Sequence, residues 1–386
     1  MQKQLFHKFF SGIQTSFEVA YWDHSIEKYG KGDSRFGVVF HREIPYAKLM
    51  KEPGLAFCEA YMDGDIDFVG GIDELLKAAN QNREVLWTKA LSHFSKITSM
   101  RKQREDIQHH YDVGNEFYRL WLDETMSYSC AYFIKDEDTL EQAQLQKIDY
   151  VLKKLQLRPG ETLLDIGSGW GWLIIRAAQQ YGVHSLGVTI SEEQFKKTTE
   201  RINQLELQDR VEVQLLDYRE LASQGRTFDK ISSVGMFEHV GQANYPKFMQ
   251  TVESLLKEQG LTLLHTITRL NEQPVDPWIE KYIFPGGYIP SSKEIVNLLP
   301  DYNFRLIDME SLRRHYARTL EYWLENYEKE IDQIRTMFDE RFIRMWRLYL
   351  ETSAASFRIG EIDIHQYLFS KDVNNDLFMT RHHLYE

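Results

Sequence analysis

A glycine-rich turn follows a short apolar run near the middle of the chain. Residues 163–166 (Leu-Leu-Asp-Ile) lead into residues 167–171 (Gly-Ser-Gly-Trp-Gly), and a helix-forming segment follows over residues 172–181. Glycine permits a tight turn and leaves room for a ligand to approach the backbone. The N-terminus of the next helix offers unpaired N–H groups and a positive dipole, which suit a nucleotide or a carboxylate. The pattern therefore predicts a nucleotide-type pocket at the end of the first strand of an open α/β sheet.

The spacing of the glycines distinguishes between cofactors. A dinucleotide fingerprint reads G-x-G-x-x-G and expects an acid at the end of the second strand. Here glycine occupies every second position, and the second strand ends at Thr189-Ile-Ser191. Glu192 and Glu193 come next, in the first turn of a helix, and Ser191 to Gln194 fits a capping box. We therefore favour S-adenosylmethionine, with Asp165 facing its amino-acid end. Hydrogen bonding to the backbone of the glycine turn is the alternative role for Asp165.

Strands and helices alternate regularly around this turn. The alternation of apolar strands with helices predicts a parallel sheet covered on both faces. We expect strands at residues 161–166, 185–190, 211–216, 230–235 and 261–268, later strands at 304–308 and 362–369, and a long helical stretch at 319–356. The predicted fold class is α/β, a Rossmann-like S-adenosylmethionine-dependent methyltransferase sheet with a smaller N-terminal α+β domain.

The chain divides into three parts. We predict a small domain at residues 1–82, which associates with lipid or membrane, a polar helical linker at 83–106 and a catalytic domain at 107–386. Residues 1–13 form an amphipathic helix, which either lies at a membrane surface or packs on its own domain. The lysines and arginines of the linker form either a local basic patch or a solvated face.

Composition narrows the function classes. The chain of 386 residues has a formal net charge of −12, which argues against a nucleic-acid partner. Its two cysteines form neither a disulfide framework nor a metal cluster, so we expect no metal. Neither a signal-peptide core nor a stretch of about 20 apolar residues is found. We expect a cytoplasmic protein that is soluble or peripherally associated with the inner face of the membrane.

Several motifs in a fixed order carry a family resemblance. With the glycine turn, they resemble the cyclopropane-fatty-acyl-phospholipid synthase family across most of the chain. They are residues 59–64 (EAYMDG), 111–118 (YDVGNEFY), 128–133 (YSCAYF), 189–194 (TISEEQ), 236–241 (MFEHVG) and 281–287 (KYIFPGG). The resemblance implies addition of a methylene group from S-adenosylmethionine to a cis double bond of a phospholipid acyl chain. It implies a carbocation, bicarbonate as the base, membrane phospholipids as partners and a homodimer.

The resemblance also implies a set of catalytic residues. The bicarbonate cradle would consist of Cys130, Glu238, His265, Ile267 and Tyr316. Ile267 lacks a polar side chain, so only its backbone groups can contact an anion. Each of these residues taken singly also has a structural explanation. Glu238 fits a solvated position, His265 fits a core histidine whose hydrogen bonds are satisfied, and Tyr316 fits ordinary aromatic packing. A nucleophilic role for Cys130 is disfavoured, because methyl transfer to an alkene needs no covalent enzyme intermediate.

Cofactor and substrate residues follow from the same motifs. The cofactor shell would comprise Tyr128, Ser129, Asp165, Gly167, Gly169, Gly171, Thr189, Gln194, Asp217 and Tyr218. The acyl channel would be walled by Phe133, Tyr282, Phe284 and Tyr288, for which ordinary core packing is the alternative.

Three other functions remain open from the sequence. A related enzyme would stop at a methyl-branched or hydroxylated acyl chain, because the carbocation is shared and water competes with the base. A non-catalytic lipid-binding relative would bind cofactor without turnover. The third alternative is a small-molecule O- or N-methyltransferase. Such an enzyme would need an acceptor that bears a proton.

Overall fold

The computed structural model describes residues 2–81 and 114–385. These residues form two compact units. One contains residues 2–81, 276–283 and 320–361, and the other contains residues 114–275, 284–319 and 362–385. The linker predicted at 83–106 lies outside the described residues, so the domain boundaries stay predictions. The first unit nevertheless includes two segments that follow residue 107 in the chain.

Helices and strands alternate through most of the described chain. In chain order they are α1 (Gln2–Phe10), β1 (Phe17–Ala20), β2 (Ile26–Tyr29), β3 (Phe36–Phe40), α2 (Tyr46–Lys51), α3 (Pro53–Met62), β4 (Ile66–Gly70), α4 (Ile72–Gln81), α5 (Asn115–Trp121), α6 (Leu140–Lys154), β5 (Thr162–Ile166), α7 (Trp172–Tyr181), β6 (His184–Thr189), α8 (Glu192–Gln204), β7 (Val211–Leu215), α9 (Tyr218–Leu221), β8 (Phe228–Val234), α10 (Tyr245–Leu255), β9 (Leu256–Arg269), α11 (Pro277–Tyr282), α12 (Ser292–Leu298), β10 (Phe304–Ser311), α13 (Arg313–Lys329), α14 (Ile331–Met337), α15 (Glu340–Ile359) and β11 (Ile362–Lys371).

The larger unit contains a mixed sheet in the order β10-β11-β9-β8-β5-β6-β7. The five strands from β9 to β7 run parallel, as predicted. The predicted parallel sheet is mixed at one edge, where β11 pairs antiparallel with both β9 and β10. Strand periodicity specifies which residues are buried and not which way a strand runs.

Local signals set several element boundaries. Helix α7 has the predicted bounds and lies between two left-handed glycines, Gly171 and Gly182. Helix α6 begins with the capping box at Thr139 and Gln142. The long helical stretch predicted at 319–356 is divided among α13, α14 and α15.

The smaller unit has a four-stranded sheet in the order β2-β1-β3-β4. Charged contacts tie the later segments to it. Arg344 donates to the carbonyl oxygen of Ile66 (2.9 Å) and to Asp67 (2.6 Å). Arg358 bonds Asp73 at 2.5–3.1 Å and Glu321 at 2.5 Å. These contacts explain why residues 320–361 group with the N-terminal residues.

Helix α1 buries part of its apolar face within the smaller unit. Phe6 and Phe10 are almost fully buried, and the Phe6 ring lies 4.8 Å from the ring of Phe40 and 6.0 Å from that of Phe57. This agrees with packing on its own domain, the second alternative for residues 1–13.

None of the helices within residues 2–81 and 114–385 combines the length and apolar character that crossing a membrane requires.

We expect Phe6→Ala to lower the free energy of unfolding of the smaller unit by about 3–5 kcal/mol, because it leaves a cavity among packed rings. Urea denaturation of the full chain measures this effect. Ile26→Ala, at a residue 68% exposed in the same unit, should change stability by under about 0.5 kcal/mol. Equal effects of the two substitutions would contradict the burial of α1.

Candidate active site

A cavity opens at the carboxyl ends of β5, β6, β7 and β8. Strand β5 lies between β8 and β6, where the strand order reverses, and ligands of open α/β sheets bind at such points. The lining includes every residue predicted for the cofactor shell: Tyr128, Ser129, Asp165, Gly167, Gly169, Gly171, Thr189, Gln194, Asp217 and Tyr218. The structure therefore brings this set together in one cavity.

Position 171 in the glycine turn requires glycine for two separate reasons. Its backbone has φ +86°, in the left-handed region that favours glycine. A Cβ atom there would also lie 2.3 Å from Cγ2 of Thr198, a fully buried residue of α8. The turn therefore packs directly against α8, and the cavity lies beside the turn.

Asp165 lies at the end of β5 and is almost fully buried. Its Oδ1 accepts a hydrogen bond from the hydroxyl of Ser232 at 2.7 Å. Burial raises the pKa of Asp165 to about 6, while the Ser232 bond and the nearby Lys147 ammonium oppose this shift. The alternative role of Asp165 is hydrogen bonding to the backbone of the glycine turn. The observed partner is instead a side chain on β8.

The residues after β6 form one hydrogen-bonded group. The Thr189 hydroxyl donates to Oε1 of Gln194 (2.7 Å) and accepts from the N–H of Ser191 (3.2 Å). Ser191 caps α8 by accepting from the N–H of Gln194 at 3.4 Å. The predicted capping box is thus half formed, because the Gln194 side chain bonds Thr189.

Asp217 and Tyr218 follow β7, the neighbour of β6 in the sheet, and line the same cavity. The Asp217 carboxylate pairs with Arg219 through two bonds, Nε to Oδ1 at 2.8 Å and Nη2 to Oδ2 at 2.5 Å. Asp217 also caps α9. Its negative charge is therefore balanced within the chain.

The predicted catalytic residues form a second group, whose polar side-chain atoms are largely buried. The N–H of Ile267 donates to Oε1 of Glu238 at 2.7 Å. Gln366, which pairs with His265 across β11 and β9, places its Nε2 3.1 Å from Nδ1 of His265. Oε2 of Glu238 and Nε2 of His265 are buried, and neither has a hydrogen-bond partner among the described residues. Buried polar atoms without a partner are rare in folded proteins, and a catalytic role or a small polar ligand accounts for them.

Strand pairing connects the remaining members to this group. The carbonyl of Leu312 accepts from the N–H of Tyr316 (3.1 Å) and lies 3.8 Å from Sγ of Cys130. The N–H of Leu312 bonds the carbonyl of Ile364 (2.8 Å), and Ile364 is the register partner of Ile267. A series of contacts through Leu312, Ile364 and Ile267 therefore links Cys130 and Tyr316 to Glu238.

Burial sets the charge states of this group. It raises the pKa of Glu238 to about 7, and it lowers the pKa of His265 to about 3, so that the imidazole is neutral. Burial also raises the pKa of the Cys130 thiol well above its usual value. A protonated thiol is a poor nucleophile, in agreement with the sequence argument.

The four predicted acyl-channel residues lie in different surroundings. The Phe133 ring packs under the Arg318 guanidinium at 4.4 Å, and the Phe284 ring contacts His239 at 5.7 Å. Tyr288 bonds Glu294 at 3.1 and 3.2 Å. Tyr282 lies in the smaller unit, where its hydroxyl donates to Glu59 at 2.9 Å. Their role in an acyl channel stays a prediction.

Sequence reasoning missed several residues of these sites, among them Lys147, His239 and Gln366. Lys147 and His239 line the cofactor cavity, and Gln366 contacts His265. Lys147 stands three residues after Gln144 on a helix whose inward positions are mostly apolar. Two polar residues at such positions are the sequence signal by which Lys147 could have been found.

Among residues 2–81 and 114–385, no group of three or more His, Cys, Asp or Glu side chains is arranged to hold a metal ion.

Fold and cavity together define an S-adenosylmethionine-dependent methyltransferase. The crystal structure of mycolic acid cyclopropane synthase CmaA1 complexed with SAH and CTAB aligns with 69% of this chain and 98% of its own, at 35% identity and a TM-score of 0.65. The family model for mycolic acid cyclopropane synthetase matches residues 98–367, and the chain belongs to this family. A second model, a domain of unknown function (DUF7884), matches residues 1–90.

Two curated relatives cover most of the chain. A probable fatty acid methyltransferase of Pseudomonas putida is 40% identical over 84% of this chain and 85% of its own length. The cyclopropane-fatty-acyl-phospholipid synthase of Escherichia coli K12 is 39% identical over 90% of this chain and 94% of its own. The chain is thus similar both to a cyclopropane synthase and to a fatty acid methyltransferase.

Proposed function

We propose that this protein adds a methylene group from S-adenosylmethionine to the cis double bond of an unsaturated phospholipid acyl chain, forming a cyclopropane ring. The observation that carries the proposal is the buried pair of unpartnered atoms, Oε2 of Glu238 and Nε2 of His265. An alkene that accepts a methyl group becomes a carbocation, and ring closure requires removal of a proton from the new methyl group. Methyl transfer to a hydroxyl or amine also releases a proton, but it forms no carbocation that water could trap.

The residues present fit a bicarbonate ion. Because Gln366 donates to Nδ1 of His265, the proton of the neutral imidazole lies on Nε2, which can donate to an anion. The free carboxylate oxygen of Glu238 can accept from the hydroxyl of such an ion. When bound, bicarbonate would accept the proton that the new methyl group loses. The Ile267 N–H is engaged by Glu238, so Ile267 would act by orienting that carboxylate.

Glu238 and His265 would act by binding, orienting and excluding water. The unpartnered oxygen of Glu238 and the unpartnered nitrogen of His265 are both buried, which favours ring closure over attack of water on the cation. A glutamate whose pKa is raised to about 7 by burial can take up a proton near neutral pH. Aromatic faces such as that of Phe284 would stabilise a passing cation.

The cellular setting belongs to the same proposal. A phospholipid substrate requires association with a membrane, and we propose its inner face. The relatives' names point to lipid acyl chains. We also propose a homodimer, on the family resemblance alone. A second candidate function is methyl transfer that ends in a branched chain, which the 40% identity to a probable fatty acid methyltransferase favours.

The test is incubation of the full-length protein with vesicles of unsaturated phospholipid and S-adenosylmethionine, followed by mass and proton NMR analysis of the lipids. We expect a gain of one CH₂ per reacted chain, loss of the alkene signals and appearance of cyclopropane resonances. A branched or hydroxylated chain would replace the proposal by the second candidate. Cofactor binding without any lipid product would favour a non-catalytic relative.

A further inference from the structure

Four charged side chains line the cofactor cavity within the described residues. Asp217 and Arg219 pair with each other through two hydrogen bonds, so their charges are balanced. The other two are Asp165, at the end of β5, and Lys147, on α6. Both are at least nine-tenths buried, with 4% of each residue exposed. A buried lysine and a buried aspartate in one cavity are costly unless a ligand or a partner compensates them.

Lys147 has spare hydrogen-bonding capacity. An ammonium group has three donors, and Nζ of Lys147 uses one of them on Oγ of Ser129, at 3.0 Å. Within the described residues Lys147 forms no ion pair at 4 Å or closer. Burial lowers its pKa to about 8, but Asp123, Cys130 and Asp165 oppose that shift, so the ammonium form dominates at neutral pH.

The same helix face fixes the loop that carries Ser129. Gln144, three residues before Lys147, donates through Nε2 to the carbonyl oxygens of Ser127 (3.2 Å) and Ser129 (2.9 Å). Gln144 is fully buried. Ser129 therefore has its backbone held by Gln144 and its hydroxyl held by Lys147, and Ser129 lines the cavity together with the glycine turn.

We propose that Lys147, together with Ser129, recognises the α-carboxylate of S-adenosylmethionine, while Asp165 recognises its α-ammonium group. The amino-acid end of this cofactor is a zwitterion, and a buried cation and anion at the glycine-turn side of the cavity complement it. Lys147 is then a positioning residue: it fixes the methionyl end and thereby the direction of the sulfonium methyl group. The inference rests on the methyltransferase activity and deepens the cofactor part of the proposed function.

Calorimetric titration with three probes tests this role in the full-length protein. S-Adenosylhomocysteine carries both charged groups, its decarboxylated form keeps the amine alone, and methylthioadenosine lacks both. The intact protein should bind S-adenosylhomocysteine about 10- to 100-fold more tightly than the decarboxylated form, the range expected for a buried charged hydrogen bond. Lys147→Met should remove that preference and leave methylthioadenosine binding within about threefold of the original value.

Two further variants make the outcome decisive. Lys147→Arg should restore part of the preference, because it retains the charge. Lys153→Met, on the same helix and outside the cavity lining, should behave like the original protein. A uniform loss of affinity for all three probes would assign Lys147 a purely structural role and overturn the proposal, as would an unchanged preference in Lys147→Met. Because binding is measured without lipid, absence of a cyclopropane product would count against the proposed function and leave this inference intact.

Discussion

Glu238→Gln is expected to lower turnover of unsaturated phospholipid by at least about 100-fold, while binding of S-adenosylhomocysteine stays within about threefold. Glutamine is isosteric, and its carbonyl oxygen can still accept from the Ile267 N–H, now 2.7 Å from Oε1 of Glu238. What the variant loses is the ionisable oxygen, and loss of a general acid or base typically costs about 10²- to 10⁴-fold in rate. Lipid product formation and calorimetry on the same preparation measure the two effects.

The pH dependence supplies an independent readout of Glu238. Its pKa is raised to about 7 by burial, so the carboxylate is ionised above that pH and protonated below it. Turnover of the original protein should therefore rise as pH increases through about 7. The residual turnover of Glu238→Gln should lack this rise. A profile that is the same in both proteins would exclude Glu238 as the titrating group.

Stability distinguishes a chemical effect from misfolding. A carboxyl group with a raised pKa in the folded state binds protons that the unfolded chain has released, so stability falls as pH rises from about 4.5 to about 7. Glu238→Gln removes this penalty and should be at least as stable as the original protein above pH 7. Glu137→Gln, at an exposed position, is the control and should alter neither activity nor stability. A destabilised Glu238→Gln would show that the carboxylate is required for folding.

Gly171→Ala is expected to weaken binding of S-adenosylhomocysteine by about 100-fold or more. Left-handed backbone costs a non-glycine residue about 1–2 kcal/mol, and the new methyl group would also overlap Cγ2 of Thr198 at 2.3 Å. Because Thr198 is fully buried on α8, either the turn or the helix must shift, and both border the cavity. Calorimetry measures the loss, and thermal unfolding reports the accompanying loss of stability.

Matched variants separate the two contributions at Gly171. Gly160 has a similar φ of +84°, and a Cβ atom there would meet open space within 4 Å, so Gly160→Ala carries the backbone cost alone. It should leave cofactor affinity unchanged. Adding Thr198→Ala to Gly171→Ala removes Cγ2 and Oγ1 and should recover part of the affinity. Equal affinity losses in Gly160→Ala and Gly171→Ala would show that the collision is not the cause.

Much of the fold follows from local patterns. Helix α7 begins and ends at glycines, so its predicted bounds are confirmed, and the Thr139 capping box starts α6 as predicted. Alternation of apolar strands and helices gives the five parallel strands. These features depend on residues that are close in sequence or on a repeating period, and both can be read without knowing which elements meet.

Contacts between distant segments could not be predicted in this way. The ammonium of Lys147 reaches Ser129 because α6 packs beside that loop, and Gln366 reaches His265 because β11 pairs with β9. The resemblance predicts Tyr282 beside the acyl chain, and the structure shows its hydroxyl bonded to Glu59 in the smaller unit. A hydrogen-bond partner far away in the chain leaves no periodic trace in the sequence.

The sequence by itself determined the kind of pocket and its cofactor class, because the glycine turn and its flanking strand and helix are contiguous. Its motifs also named Glu238 and His265. Only the tertiary structure decided that each of these two side chains has one buried, unpartnered polar atom, and that the edge of the sheet is antiparallel. Burial and strand direction depend on how separate elements pack, and burial sets the pKa values on which the chemistry depends.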